Sequence, residues 1–375
     1  MIAAISNFVL RMDWLDQKRV RFYSSIVLAI YIVAMSGVVF YSRDGVDSIG
    51  RPLGYDFIAF WSAATLADQG RPADAYDMQL LKDTQESAVP HKASPHAWLY
   101  PPTFLLVVLP IAKLPYFWAL GAWLVVTLIP LVVLATMLMP VGRLWYLGTF
   151  PGFVQNLLQG QNGFLTASLF GGALHVIDRR PWLAGIFFGL LSYKPQFGLL
   201  IPLVLLATRR WSTFVSASLT AIAFALLTIP VFGTETWRAF FENSSSAVGL
   251  LAEGGVPWEK MSSLYAGLRV LGVPAGMALA LHGIFAAVVA VVTVLAWRGA
   301  AAMTFKSAIL VLGSVLVSPY CFNYDLVLLA LPLWWLGWHG YQHGFRSGEK
   351  AALLLTWLTP LIAPTMGVFL DIPTG

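Results

Sequence analysis

The chain has 375 residues, of which 58% are hydrophobic and 11% are charged. Soluble domains carry about 25% charged residues, so this composition excludes a soluble globular protein. The formal net charge is +5, but the basic residues lie in small groups between apolar runs, which argues against a nucleic-acid partner. A single cysteine, Cys321, excludes an internal disulfide and a cysteine-cluster metal site.

The apolar runs predict an all-α polytopic membrane protein with one membrane domain over residues 1–375. A membrane-spanning helix needs about 20 apolar residues, and fewer where it is short or broken. About eleven runs meet this description: 22–41, 102–116, 117–139, 163–177, 181–193, 195–208, 211–231, 273–297, 304–318, 324–340 and 350–370.

Lysine and arginine placement predicts the orientation of these spans. With residues 1–21 in the cytoplasm, alternation of the spans puts basic residues into every inner loop. The inner basic residues are then Arg11, Lys18, Arg19, Arg21, Lys113, Arg179, Arg180, Arg209, Arg210, Arg298, Lys306, Arg346 and Lys350. Arg143 is the exception, because this alternation places it outside. We expect an integral protein of a bacterial inner membrane with its active site on the outer face.

Two long loops, 42–101 and 232–272, fall on the outer side. We predict an interfacial helix in each, over 57–69 and over 261–271. The first has apolar side chains at helical spacing on one face, which is typical of a helix lying along a bilayer surface. These side chains are Phe57, Phe60, Trp61 and Ala64.

Asp56 stands at the head of the first predicted interfacial helix. One interpretation is an N-cap, in which the carboxylate accepts hydrogen bonds from the first free N–H groups of the helix. The other is a general base, which takes a proton from an acceptor hydroxyl as a group is transferred. The sequence leaves both open, since a cap also fixes the position of a catalytic carboxylate.

Lys194 lies between two short apolar segments and precedes Pro195. It is either a snorkelling lysine that marks a helix end or a phosphate-binding residue beside a helix N-terminus.

Amide side chains cluster just before the run at 163–177, where they either hydrogen-bond a sugar or phosphate or cap a broken helix. They are Gln155, Gln159, Gln161 and Asn162.

Asp325 opens the apolar run at 324–340. An acid at this edge is a candidate functional residue or an acid favoured by the helix dipole. His91 and His96, in the first outer loop, are candidates for lining a site. No pair of the Asp-x-Asp kind occurs in the outer loops, so we expect no metal and no cofactor.

Several short motifs resemble glycosyltransferase family 87, whose members are membrane enzymes of GT-C fold that use polyprenyl-phosphate sugars. The motifs follow the family's order from residue 56 to residue 325. They are Asp56-Phe57, Trp61-Ser62-Ala63-Ala64, Gly70-Arg71-Pro72, Ala75-Tyr76-Asp77, Tyr100-Pro101-Pro102, Gln159-Gly160-Gln161-Asn162, Ala184-Gly185, Lys194-Pro195, Ser318-Pro319-Tyr320 and Tyr324-Asp325. The second outer loop departs from the family, because Glu259–Leu264 only partly matches the expected Gln-Ser signature.

The resemblance implies a GT-C bundle that transfers a mannose-like hexose from a polyprenyl-phosphate donor to a hydroxyl of a lipid or glycan, with inversion. It makes Asp56 the base and places Lys194 and the Gln159–Asn162 cluster near the donor's phosphate. Further substrate-binding candidates are Tyr100, His96, Tyr320 and Asp325. The alternative is a transporter or flippase of lipid-linked sugars, which would show inverted repeats and polar residues at the bilayer midplane.

Overall fold

A computed structural model describes residues 12–89, 95–253 and 258–370, and throughout these ranges the regular structure is helical. The α-helices are α1 (Gln17–Phe40), α2 (Phe57–Asp68), α3 (Met78–Ala88), α4 (Pro102–Val108), α5 (Tyr116–Leu138), α6 (Pro151–Gln159), α7 (Gly163–Val176), α8 (Pro181–Leu190), α9 (Pro195–Gly198), α10 (Leu200–Ala207), α11 (Trp211–Phe232), α12 (Thr234–Glu253), α13 (Leu264–Val270), α14 (Ala275–Arg298), α15 (Met303–Leu316), α16 (Ala330–His343) and α17 (Glu349–Leu370). Short 3₁₀ segments cover Pro72–Tyr76, Leu109–Lys113, Val141–Thr149, Leu191–Tyr193, Trp258–Lys260 and Asn323–Leu329.

Four of these helices, α1, α5, α11 and α14, are long and apolar enough to cross a membrane. Several predicted spans correspond to shorter apolar helices or to helices interrupted by 3₁₀ turns. The predicted span at 195–208, for example, is divided into α9 and α10. The chain is therefore a helical integral membrane protein, and the predicted total of about eleven crossings stays a prediction.

Small residues allow the central helices to approach closely. A side chain at Gly185 of α8 would lie 2.4 Å from the Ser216 Cβ of α11, and one at Gly189 would lie 2.5 Å from the Thr220 Cβ. Ser216 also donates its hydroxyl to the carbonyl of Trp182 at 2.7 Å. Close packing of small residues with a hydroxyl hydrogen bond is a common way to join helices in lipid.

Helix α2 confirms the predicted helix but not its predicted surroundings. Nine of its twelve residues are buried, including Ile58, Ala59 and Ser62, which lie outside the predicted apolar face. Its aromatic side chains pack against Trp98, Phe104 and Trp123. The prediction of a surface helix with one buried apolar face is therefore wrong, because side chains of α4 and α5 also pack against α2.

The structure reverses the predicted sides of Lys113 and Arg143. Lys113 forms an ion pair with Asp68 of α2 at 2.6 Å, so it shares a side with the first long loop. Arg143 lies over the ring of Tyr341, with Cζ 3.9 Å from the centroid, and the Tyr341 hydroxyl contacts Gln17 at the start of α1. Arg143 thus shares a side with the N-terminus.

The reason for this reversal is the length of the segment before α5. Helix α4 and its 3₁₀ extension cover only Pro102–Lys113, or roughly 20 Å at the usual helical rises. That is too short for a hydrocarbon core of about 30 Å. The segment Pro102–Lys113 therefore begins and ends on the side of the membrane where α2 lies. Helix α5 then runs to the opposite side, where Arg143 lies.

The second long loop contains more helix than predicted. Helix α13 confirms the short helix predicted over 261–271, whereas α12 was not predicted from the sequence. Phe240 of α12 packs against Tyr76, and Asn243 donates to the carbonyl of Trp98. The two predicted outer loops are therefore in contact with each other.

We expect cysteine labelling to separate the two topologies. Lys113→Cys should react from the same side as Ser48→Cys, and Gly142→Cys from the opposite side, in a protein whose buried Cys321 is replaced by alanine. Lys113 is an exposed partner of an ion pair, and Gly142 has open space around it, so neither change should disturb the fold. Labelling of Gly142→Cys from the side of Ser48→Cys would restore the topology predicted from the sequence.

Candidate active site

A strained turn presents Asp56 at the start of α2. Gly54 and Tyr55 both have positive φ, at 78° and 24°, and a bulky residue rarely adopts this conformation. Leu120 of α5 packs where a side chain at Gly54 would stand. Backbone strain of this kind tends to be retained where it positions a functional group.

The Asp56 carboxylate makes no cap hydrogen bond to α2. Its Oδ2 instead accepts a hydrogen bond of 2.9 Å from Nε2 of Gln161, and its Oδ1 lies 3.5 Å from Nε2 of His96. The side chain is 18% exposed. The N-cap interpretation of Asp56 is therefore wrong, and its carboxylate is held in a polar network between distant parts of the chain.

Gln161 is the centre of that network. Its Oε1 accepts hydrogen bonds from the hydroxyl of Tyr100 at 3.3 Å and from the backbone N–H of Asn162 at 3.2 Å. Gly160 ends α6 just before Gln161 with a φ of 61°, which favours glycine. A side chain at Gly160 would lie 2.6 Å from the Cβ of Phe57. The network therefore depends on a glycine where α6 ends against α2.

His96 is fixed through its backbone by Gln85, a fully buried residue of α3. Gln85 accepts from the N–H of His96 at 3.0 Å and donates to its carbonyl at 2.7 Å. The His96 ring also packs edge-on against Tyr55, with centroids 4.6 Å apart. These contacts direct the imidazole toward Asp56. His91 lies outside the described residues.

The surroundings of Asp56 change its acidity. Burial raises the pKa of Asp56 to about 6, while the hydrogen bond from Gln161 and the charges of Lys260 and Lys194 lower it. The charge of Asp325 raises it further. A carboxylate with a pKa close to neutrality is ionised at neutral pH and remains basic enough to accept a proton in a transition state.

Lys194 and Asp325 form a buried ion pair next to this network. Lys194 Nζ lies 2.5 Å from Asp325 Oδ1, and both side chains are only 2% exposed. The backbone N–H of Phe322 donates to the other carboxylate oxygen at 3.2 Å. Lys194 Nζ also lies near the rings of Tyr100, at 5.9 Å, and Tyr324, at 5.1 Å. Lys194 and Asp325, which the sequence indicated as two separate candidate residues, therefore form one ion pair.

Within the described residues, the remaining predicted site residues form no hydrogen bond with the Asp56 carboxylate. Asn162 is fully buried beside Tyr100. Tyr320 packs against Tyr265 in the second long loop, with ring centroids 6.2 Å apart. Gln159 is the last residue of α6, and within the described residues its side chain forms no hydrogen bond.

Three residues of the site, Tyr55, Gln85 and Lys260, were not predicted from the sequence. Tyr55 stands between a glycine and the candidate base, which is a weak sign of an unusual turn. Lys260 belongs to the part of the second loop that only partly matched the family signature. Gln85 had no sequence signal, because its role depends on a contact with the backbone of His96.

A comparison with family models matches residues 98–319 to "Glycosyltransferase family 87". The match covers more than half of the chain. The protein belongs to glycosyltransferase family 87. Comparisons with curated proteins and with solved structures gave no match.

Membership of family 87 makes this protein a glycosyltransferase. The matched range contains Tyr100, Gln161 and Lys194, whereas Asp56 and Asp325 lie outside it. Contacts in the structure nevertheless connect Asp56 to Gln161 and Asp325 to Lys194. The candidate site therefore joins the matched part of this family 87 chain to residues on either side of it.

The ion pair in this family 87 protein can be tested by removing one charge and then both. Lys194→Met should lower the free energy of unfolding by about 3–5 kcal/mol, because it leaves Asp325 buried without a countercharge. The double variant Lys194→Met/Asp325→Asn should recover most of this loss. Thermal unfolding in detergent, followed by tryptophan fluorescence, measures both.

Lys113→Met is the matched control, because it breaks the exposed ion pair with Asp68. Exposed pairs contribute about 0–1 kcal/mol, so this variant should unfold close to the wild-type temperature. A double variant as unstable as Lys194→Met alone would contradict the role of Asp325 as the partner of Lys194.

Proposed function

We propose that the protein transfers a mannose-like hexose from a polyprenyl-phosphate donor to a hydroxyl of a lipid or glycan, at the outer membrane interface. The observation that carries this proposal is the Asp56 carboxylate, which caps no helix and is held by Gln161 at 2.9 Å. Its pKa of about 6 suits a general base. Family membership supplies the reaction class.

Transfer in one displacement accounts for the bonds that change. The acceptor oxygen bonds to C1 of the sugar as the bond from C1 to the phosphate oxygen breaks, with its electron pair leaving on the phosphate. Asp56 takes the proton of the acceptor hydroxyl. The product has the inverted configuration at C1, so a β-linked donor gives an α-linked product.

The position of the second carboxylate supports inversion. Retention by double displacement would need a carboxylate nucleophile close to C1, as in retaining glycosidases. Among the described residues, Asp325 is the acid whose charge raises the pKa of Asp56, and its carboxylate is buried in the pair with Lys194. It is therefore poorly placed to attack the sugar, and Asp56 works as a base alone.

The corrected positions of Lys113 and Arg143 are consistent with an outer site. Arg143 joins Arg21 beside Tyr146, on the side where α1 begins, while Lys113 moves to the side of Asp68, so the N-terminal side keeps the same number of basic residues and Arg143 is no longer an exception. Cytoplasmic loops are enriched in lysine and arginine. The N-terminal side then faces the cytoplasm, and Asp56 faces outward, where a lipid-linked donor and a membrane acceptor can meet at the bilayer surface.

We expect Asp56→Asn to lower the rate of sugar transfer by about 10²–10⁴-fold, because asparagine cannot take up the proton. Asparagine keeps an oxygen that can accept the hydrogen bond from Gln161. Transfer of radiolabelled sugar from polyprenyl-phosphate mannose to extracted membrane lipids, and the lipid profile of complemented deletion cells, measure the effect.

The control is Asp77→Asn, at a true N-cap in the same loop. Asp77 accepts hydrogen bonds from the N–H groups of Gln79 and Leu80, and asparagine caps about as well as aspartate, so this variant should remain active. Wild-type activity of Asp56→Asn at matched expression would rule out Asp56 as the base.

A further inference from the structure

The leaving phosphate gains negative charge as the bond to the sugar breaks, so a cation near it stabilises the transition state. Lys194 is poorly suited to this role, because its ammonium group lies 2.5 Å from Asp325 and its side chain is 2% exposed. The pair is neutral as a whole. A phosphate at Lys194 would also meet the buried charge of Asp325.

A second lysine, Lys260, is exposed on the same side of the site. Its Nζ lies 5.7 Å from the ring centroid of Tyr55, the residue before Asp56. Its charge also lowers the pKa of Asp56, so it is within electrostatic reach of the carboxylate. Among the side chains that the structure describes, no acid forms an ion pair with Lys260.

The backbone next to Lys260 is firmly anchored. Met261 is 1% exposed and forms an antiparallel bridge with Phe322. Ser262 donates its N–H to the carbonyl of Cys321 at 2.7 Å and its hydroxyl to Asn323 at 2.8 Å. These contacts fix the 3₁₀ turn Trp258–Lys260 onto the segment that supplies Asp325. Lys260 thus has a fixed backbone and an exposed side chain.

Tyr55 forms an aromatic surface for this lysine. The guanidinium of Arg51 also lies over the Tyr55 ring, with Cζ 5.2 Å from the centroid. Arg51 is already paired with Asp47 at 3.1 Å, whereas no acidic side chain in the described part of the chain forms an ion pair with Lys260. An anion bound beside Tyr55 would therefore contact Lys260 and remain next to Asp56.

We propose that Lys260 binds the phosphate of the donor beside Tyr55, and that Lys194 serves instead as the structural partner of Asp325. The inference rests on the proposed function, since it assumes a phosphate-linked donor. Lys260 would attract the donor's phosphodiester anion and stabilise the additional charge on the departing lipid phosphate. Because this charge is largest late in the reaction, Lys260 contributes more to the transition state than to donor binding.

The test measures the binding of farnesyl phosphate, a short polyprenyl phosphate that represents the leaving product, to the full chain in detergent. Lys260→Met should weaken its affinity by about tenfold to a hundredfold, the effect of losing one charge-assisted contact. Lys260→Arg, which keeps the charge, should bind much more tightly than Lys260→Met. Sugar transfer by Lys260→Met should fall in kcat as well as in donor affinity.

The matched control is Lys82→Met, which removes another exposed lysine of the outer loops, paired with Glu86. It should bind farnesyl phosphate like the wild type, and thermal unfolding should confirm that Lys260→Met is folded. Equal binding by Lys260→Met and wild type would overturn the assignment of Lys260. If Lys194→Met/Asp325→Asn lost binding while Lys260→Met kept it, the phosphate would be assigned to Lys194 instead.

The same assay separates failure of this assignment from failure of the proposed function. If the wild-type protein binds farnesyl phosphate and Lys260→Met binds it equally, only the role of Lys260 is wrong. If the wild-type protein itself does not bind farnesyl phosphate, both the polyprenyl-phosphate donor and the role of Lys260 are wrong.

Discussion

The buried ion pair between Lys194 and Asp325 is the constraint on which the site depends. It joins residues 131 positions apart in the chain, and both side chains are only 2% exposed. Removing one partner of a buried pair is strongly destabilising, so the turn after α8 and the segment before α16 must stay together. The opposite charges of Lys194 and Asp325 also offset each other. In the proposed mechanism, the reacting groups are therefore charged side chains outside this pair.

Those charges lie on one side of the bundle, around a tyrosine held in a strained turn. Asp56 is fixed through Gln161 rather than through its own helix, and Lys260 is fixed through the backbone of Met261. Each functional side chain is thus positioned by a part of the chain distant in sequence. In the proposed mechanism, this arrangement brings a base, Asp56, and a phosphate-binding cation, Lys260, together on a scaffold built largely from apolar helices.

The sequence was sufficient for features that depend on local patterns. Apolar runs predicted most of the apolar helices to within a few residues, but not α3, α6 or α12. Ordered motifs predicted the family. The predicted membrane side was wrong for Lys113 and Arg143. Composition does not reveal that a twelve-residue apolar segment returns to the side of the membrane from which it started. The partner of Lys194 and the cap status of Asp56 also stayed open, since both depend on contacts across the fold, with Asp325 and with Gln161 respectively.

The most direct measurement of the central claim is the pH dependence of kcat/KM for sugar transfer. Asp56 must be ionised to take the acceptor's proton, and its pKa is raised to about 6 by burial. The rate should therefore rise with pH and level off above about pH 6, and the residual activity of Asp56→Asn should lack this rise. A wild-type rate that is flat across this range, or the same rise in Asp56→Asn, would contradict the assignment of Asp56 as the base.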